Sequence, residues 1–235
     1  MVFKRFHPLM RLNKRREQFL ERDGVAQELI NLILEPYCTL TTTSQQVDYI
    51  VLDLETTGLS VDEDLILSMG WVEVIDQKID LRSASHLYIN DQSSVVPETA
   101  VINHITPQML EKGVSLQSAM STFFEAAAGK VVIAHACSVE KVFIDNYVDS
   151  QFQIADLPII WLDTLVIEKN MAKARNAHDL DFSLSSTRER YGLPEYNNHN
   201  ALIDAVSTAE LFLAQTKRLS PSAPITIGKL YHLSH

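Results

Sequence analysis

Cysteine is scarce in this chain: Cys38 and Cys137 are the two among 235 residues. That excludes a disulfide framework, and no Cys/His cluster has the spacing of a zinc site. Both thiols are expected to be reduced and buried. Long apolar runs are also missing, since no stretch approaches the roughly 20 residues that cross a bilayer. The first 20 residues are basic but lack the apolar run of a secretory signal, and Glu17 and Glu21 dilute an organelle-type leader. A cytoplasmic protein that does not engage membranes is the expectation. Internal repeats and low-complexity tracts are absent too. The remaining scarcity is positive charge. The net charge is −10, and seven of the 20 Lys and Arg lie within the first 22 residues. From Asp23 onward, 13 basic residues stand against 28 acidic ones. That sign argues against gripping long duplexes through their phosphates. A polyanion would be held over a short stretch, with divalent metal supplying the missing positive charge.

What is present is ordinary globular material, 46% hydrophobic and 21% charged, long enough for one packed domain plus an appendage. Residues 1–44 read as a basic helical arm, because Ala26, Leu29, Ile30, Ile33 and Leu34 recur at helical spacing and Phe19 extends that face. The arm either packs on the body or docks nucleic acid or a protein partner. Residues 45–218 form the main domain. Tyr49 to Leu52 is a short continuous apolar run, as in a strand buried on both faces. Leu65–Ile75 and Leu81–Ile89 follow as a hairpin with a polar turn at Asp76–Lys78. Helices are then predicted over 116–128, 139–148, 184–191 and 201–217, with strands at 130–134 and 159–162. Asp163 reads as a helix cap. Three strands followed by alternating helices and strands indicate an α/β domain, a mixed sheet covered by helices. Residues 219–235, with two prolines and little periodicity, read as a C-terminal tail.

The chemistry begins at Asp53-Leu54-Glu55-Thr56-Thr57-Gly58. Residues i and i+2 of an extended segment point the same way, so Asp53 and Glu55 present two carboxylates side by side. Adjacent anions resist joint ionisation unless a cation lies between them, and Mg²⁺ or Mn²⁺ suits such oxygen ligands. The bland alternative is a polar strand end. At background frequencies near ~0.06 per residue, five fixed positions recur by chance on the order of once in several thousand such chains. A second signal, His199-Asn200-Ala201-Leu202-Ile203-Asp204, opens the last helix. Alone it reads as a cap and a surface residue; its weight comes from accompanying the first.

Asp-x-Glu-Thr-Thr-Gly followed by His-x-Ala-x-x-Asp resembles the first and third motifs of the DEDDh 3′→5′ exonucleases. That family includes the proofreading subunit of bacterial DNA polymerase III, ribonuclease T and oligoribonuclease. The resemblance spans about residues 48–215 and implies a ribonuclease H-like fold. The family's middle motif, His-Asn-x-x-Phe-Asp, falls on His135-Ala136-Cys137-Ser138-Val139-Glu140. His135 matches, but Ala136, Val139 and Glu140 replace Asn, Phe and Asp. Glu keeps the charge and moves the carboxylate outward by about an ångström, a shift of the size that can cost about 100-fold in rate. Losing the aromatic removes base stacking worth about 1–3 kcal/mol.

By this resemblance Asp53, Glu55, Glu140 and Asp204 hold two divalent ions, Mg²⁺ or Mn²⁺, and His199 is the general base. Thr56, Thr57 and Leu59 contact the terminal nucleotide, as does His104 in the stretch 103–106. The implied substrate is the 3′ end of single-stranded nucleic acid, DNA ahead of RNA, released as nucleoside 5′-monophosphates. A polymerase or other protein partner through the arm, and a homodimer, are the implied assemblies. Two other readings stand beside this one. The altered middle motif fits a member that binds nucleic acid or a partner without catalysis, whereas the acidic body fits a phosphodiesterase for dinucleotides and very short oligonucleotides.

Overall fold

Strand β1 (Asp48–Thr56) runs through the middle of the molecule because its sequence permits nothing else. Tyr49, Ile50, Val51 and Leu52 are all fully buried, as a strand covered on both faces requires. The computed structural model describes residues 7–90, 105–177, 179–197 and 199–235. β2 (Ile66–Ile75) and β3 (Lys78–Tyr88) form an antiparallel hairpin beside β1. Its two-residue turn places Asp76 and Gln77 at φ 50° and 60°, the left-handed pair of a type I′ turn whose twist matches the strands. β4 (Lys130–Ala134) and β5 (Trp161–Asp163) add in parallel on the other side. The sheet order is β3-β2-β1-β4-β5.

Helices cover both faces. The described helices are α1 (Pro8–Leu20), α2 (Gln27–Leu34), α3 (Pro107–Glu111), α4 (Leu116–Ala127), α5 (Ser138–Phe152), α6 (Thr164–Ala174), α7 (Leu184–Arg190), α8 (Ala201–Leu219) and α9 (Ile227–Leu233). Ile50, Leu52 and Leu54 share one core with Leu29, Ile33, Phe123 and Ile144 of α2, α4 and α5. Tyr49 and Val51 share the opposite core with Ile167, Phe212 and Leu230 of α6, α8 and α9. Strand alternation continues past Val51, so Asp53 and Glu55 point to the α8 side. The α/β class read from the sequence is the observed one.

The two ends differ from their expected form. The N-terminal segment is two helices, separated around Gly24 at φ 76°. Leu32 is buried, whereas Leu34 is 54% exposed, because α2 turns Leu29, Leu32 and Ile33 inward. Leu9, Leu12 and Phe19 of α1 are also core residues. Arg16 is buried, and its guanidinium donates to the carbonyls of Ile33 and Pro36. Arg15 pairs with Asp156 at 2.8 Å. Two of the basic side chains of the arm are therefore engaged in holding it down. At the other end, 219–235 is more than a tail: Thr226 caps α9 by accepting from the Lys229 N–H, and Ile227, Leu230 and Tyr231 are buried. The helix has only seven residues, too few for its 3.6-residue period to stand out in sequence.

Candidate active site

Asp53 and Glu55 of β1 meet Asp204 from the first turn of α8. Each offers a carboxylate oxygen, and the three oxygens lie within 4.8 Å of one another. The meeting depends on Gly70 of β2, which pairs with Asp53. A Cβ at Gly70 would lie 2.2 Å from backbone atoms of Ala201 and Leu202, so only glycine lets the start of α8 rest on the sheet. The turn before α8 is equally constrained. The Asn200 side chain caps the helix by accepting from the Ile203 N–H at 3.1 Å. His199 takes φ 68°, and its N–H donates to Asp204 Oδ2 at 2.9 Å. Arg188 secures this turn from behind, donating to the Ser207 and Pro194 carbonyls and to Glu210 while lying over the Tyr196 ring.

The carboxylates repel. Burial, then the Asp204 charge, pushes Glu55 up to about 7. Burial, with Glu140, Asp204 and Glu55 adding, holds Asp53 well above the usual carboxylate range. Burial also raises Asp204, against the backbone N–H groups of His199 and Asn200. Glu140, in the first turn of α5, is 4% exposed. Burial raises it too, with Asp163 and Glu55 adding. Glu140 Oε2 and Asp204 Oδ1 are buried without hydrogen-bond partners. Unpaired buried carboxylate oxygens are costly, and an all-oxygen donor set of this kind suits a hard divalent cation. Glu140 is beside the trio and not one of its three members.

The turn carrying Glu140 is held by Asp163, the N-cap of α6. Its carboxylate accepts from the Ala136 and Cys137 N–H groups at 3.1 and 3.0 Å, as well as from Leu165 and Val166. His135 bonds the Thr164 hydroxyl at 2.8 Å and the Phe182 carbonyl at 3.0 Å, and burial lowers its pKa. A neutral ring with both nitrogens engaged ties β4 to the segment before α7. Ala136 between them takes φ 64°, a left-handed position where Asn is tolerated better than Ala.

Two cavities flank Glu55. The shallower, about 360 Å³, lies among Thr56, Thr57, Leu59, Ala136, Val139 and Glu140. In its loop the Thr57 hydroxyl donates to Asp64 and accepts from the Leu65 N–H, and the Thr56 hydroxyl donates to the Gly58 carbonyl. These hydroxyls shape the loop, while Leu59 projects, 77% exposed. The smaller cavity, about 190 Å³, is lined in part by Glu55, His199 and Asn200. His104 lies outside the described residues. Sequence reading missed Gly70, Arg188 and the deep residues of the smaller cavity, Ser68 and His86. Glycine at 70 was legible in principle, since it interrupts an otherwise apolar strand. The others carry no local signal.

A sequence model described as exonuclease matches residues 50–212. The DNA polymerase III PolC-type protein of Thermotoga petrophila is 29% identical over 169 residues, which cover 72% of this chain and 12% of that protein. The 3′-5′ exonuclease DinG of Staphylococcus haemolyticus is 28% identical over 189 residues, 79% of this chain and 20% of that protein. The chain thus spans a fifth or less of the length of these relatives. Among solved structures, the nuclease domain of 3′hExo, a DEDDh family member bound to rAMP, superposes with a TM-score of 0.61 at 12% identity, covering 78% of this chain and 98% of that one. That likeness establishes the ribonuclease H-like fold.

Proposed function

The chain belongs to the exonuclease family, and from that membership we propose that it is a metal-dependent 3′→5′ exonuclease. It removes nucleoside 5′-monophosphates from the 3′ end of single-stranded nucleic acid, DNA ahead of RNA. The observation that carries this reading is the convergence of Asp53, Glu55 and Asp204, with unpartnered oxygens on Asp204 and Glu140. Asp53, Glu55, Asp204 and Glu140 would hold two divalent ions, Mg²⁺ or Mn²⁺. Bound there, such ions supply the positive charge that stabilises an in-line displacement at phosphorus.

The chain's own groups do the rest. His199 takes the proton from the attacking water, a role that imidazole fills near neutral pH. The bond from its N–H to Asp204 fixes its backbone beside the acidic trio. Thr56 and Thr57 set the loop that seats the sugar and phosphate of the terminal nucleotide, and Leu59 lies against the adjoining base; His104 contacts the same nucleotide. The acidic body favours a short grip on one strand. The polymerase III relatives favour DNA. The arm serves a polymerase or other protein partner better than a phosphate backbone, since Arg15 and Arg16 are engaged internally while Met10, Leu34 and Tyr37 stay exposed.

A gel time course on 5′-labelled single-stranded DNA and RNA, in Mn²⁺, Mg²⁺ and EDTA, tests the proposal. A metal-dependent ladder shortening from the 3′ end, abolished by Asp53→Ala, is the expected result. No shortening of either strand or of dinucleotides in either metal overturns it.

A further inference from the structure

The segment between α7 and α8 carries His199, and little of the fold supports it. Its described residues, 191–197, 199 and 200, form neither helix nor strand. The Leu193 N–H reaches the Arg188 carbonyl at 3.1 Å. Past that point no backbone-to-backbone bond forms among the described residues until Asp204 donates to Asn200. Packing does not take the place of those bonds. A cavity of about 350 Å³ is lined by Ser185, Ser186 and Glu189 of α7 and by residues 193–196. A stretch with few backbone bonds and a void behind it belongs to the low-stability end of a fold. A general base, by contrast, has to stay within about an ångström of its working place.

The hold comes from one side chain. Arg188 of α7 is 4% exposed, and its guanidinium donates to the Pro194 carbonyl at 2.8 Å and to Glu210 at 2.7 Å. The Tyr196 ring lies over that guanidinium at 4.8 Å, and the Tyr196 hydroxyl donates to the other oxygen of Glu210 at 3.1 Å. Arg188 thus grips the segment at Pro194 and Tyr196, and its bond to the Ser207 carbonyl refers that grip to α8. The base of the grip is itself fixed. Thr187 is fully buried, Tyr191 donates to the buried Glu168 of α6 at 2.6 Å, and Arg218 of α8 lies over the Tyr191 ring at 3.6 Å. A planar guanidinium serves several acceptors in set directions, which the point charge of a lysine on its flexible stem does not. Burying a charge seldom raises stability over an apolar side chain of similar volume, so the arrangement calls for a role beyond folding. Asp204 does not require it, being placed by the Gly70 contact and the Asn200 cap, neither of which involves an Arg188 bond.

Resting on the reading of His199 as general base, we propose that Arg188 is a positioning residue for the reaction. It holds residues 194–196, and through them His199, in register with a metal site that it does not itself build. The first test is steady-state kinetics of Arg188→Met on a single-stranded oligonucleotide in saturating Mn²⁺, beside calorimetric titration of Mn²⁺. The kcat should fall about 10- to 100-fold, the scale of an ångström's misplacement, with KM and Mn²⁺ affinity within about twofold of the unaltered protein. Arg188→Lys, which meets one acceptor at a time, should recover part of the lost kcat. An unchanged kcat overturns the proposal. So does a loss of Mn²⁺ affinity that matches the loss of kcat, because Arg188 would then be a support of α8 alone. If Arg188→Met does not fold, Tyr196→Leu tests the same grip at a residue 38% exposed: kcat should fall at unchanged Mn²⁺ affinity, and an undiminished kcat sinks the idea. The second test needs no turnover, and reads the ring signals of ¹³C-histidine-labelled protein by NMR, with His199 assigned through His199→Gln. In Arg188→Met the His199 signal should shift or broaden while those of His86 and His135 stay in place. A His199 signal identical to that of the unaltered protein, or movement of all three together, overturns the proposal whatever the cleavage assay gives. Absence of cleavage of every oligonucleotide by the unaltered protein overturns the exonuclease reading separately.

Discussion

At residue 136 an alanine occupies a backbone turn with φ 64°. A side chain bearing a Cβ pays about 1–2 kcal/mol for that conformation. Ala136→Gly is expected to raise stability by about 0.5–1 kcal/mol, the strain relieved less the extra entropy of an unfolded glycine, measured by urea denaturation. A loss of stability would show that the methyl group packs usefully in the turn. Asp53 lies at the opposite extreme, a carboxylate raised by burial and by three neighbouring acids. Asp53→Asn removes charge at constant size, so the metal-free protein should melt higher. On the proposed reading the same change should cut exonuclease activity on the order of 10³-fold, because a proposed metal ligand is lost. A metal-free melting temperature that falls would count against mutual repulsion in the site.

Elements set the distances that single residues cannot. The first turn of α8 lies on β2 through Gly70, and a Cβ there would meet backbone at 2.2 Å. Backbone cannot rotate out of the way as a side chain can, so Gly70→Ala must lift the helix start. The expected cost is about 2 kcal/mol of stability, with activity and Mn²⁺ affinity falling together as Asp204 leaves Asp53 and Glu55. Isothermal titration of Mn²⁺ checks this, and unchanged affinity would mean that the helix start is not what closes the site. At this scale the sequence was a good guide to strands and to the longer helices. Lys130–Ala134 is the strand its apolar run predicts, and Asp163 caps α6 as read. It was a poor guide where a short or interrupted element draws its order from packing: the break at Gly24, the inward turn of Leu32 in place of Leu34, and α9.

For the whole molecule, charge and protons govern stability. Burial raises Asp53, Glu55, Glu140 and Asp204, and repulsion from neighbouring carboxylates adds to it at Asp53, Glu55 and Glu140. Between the ordinary carboxylate range, about 4–4.5, and about 7 for Glu55, the folded metal-free protein binds more protons than the unfolded chain. Its stability should therefore fall as pH rises through that window. Bound metal offsets the repulsion, so the rise in melting temperature on adding Mn²⁺ should be larger at about pH 8 than at about pH 5. A pH-independent rise would contradict this account. The arm is part of the same folding unit, since Leu9, Phe19, Leu29 and Ile33 are core residues. Removing residues 1–44 should unfold the domain, which circular dichroism would report, so a role for its charges needs substitution at Arg11 and Lys14 instead. The sequence by itself determined the α/β class and the side-by-side carboxylates of Asp53 and Glu55, because alternation along a strand is local geometry. Only the tertiary structure decided that Gly70 admits Asp204 to the site, that Glu140 stands beside the carboxylate trio, and that Ser68 and His86 line a cavity next to Glu55 with a buried polar atom each unpaired. Those facts depend on which strands become neighbours and how near a helix can approach them, and no local pattern of residues encodes either distance.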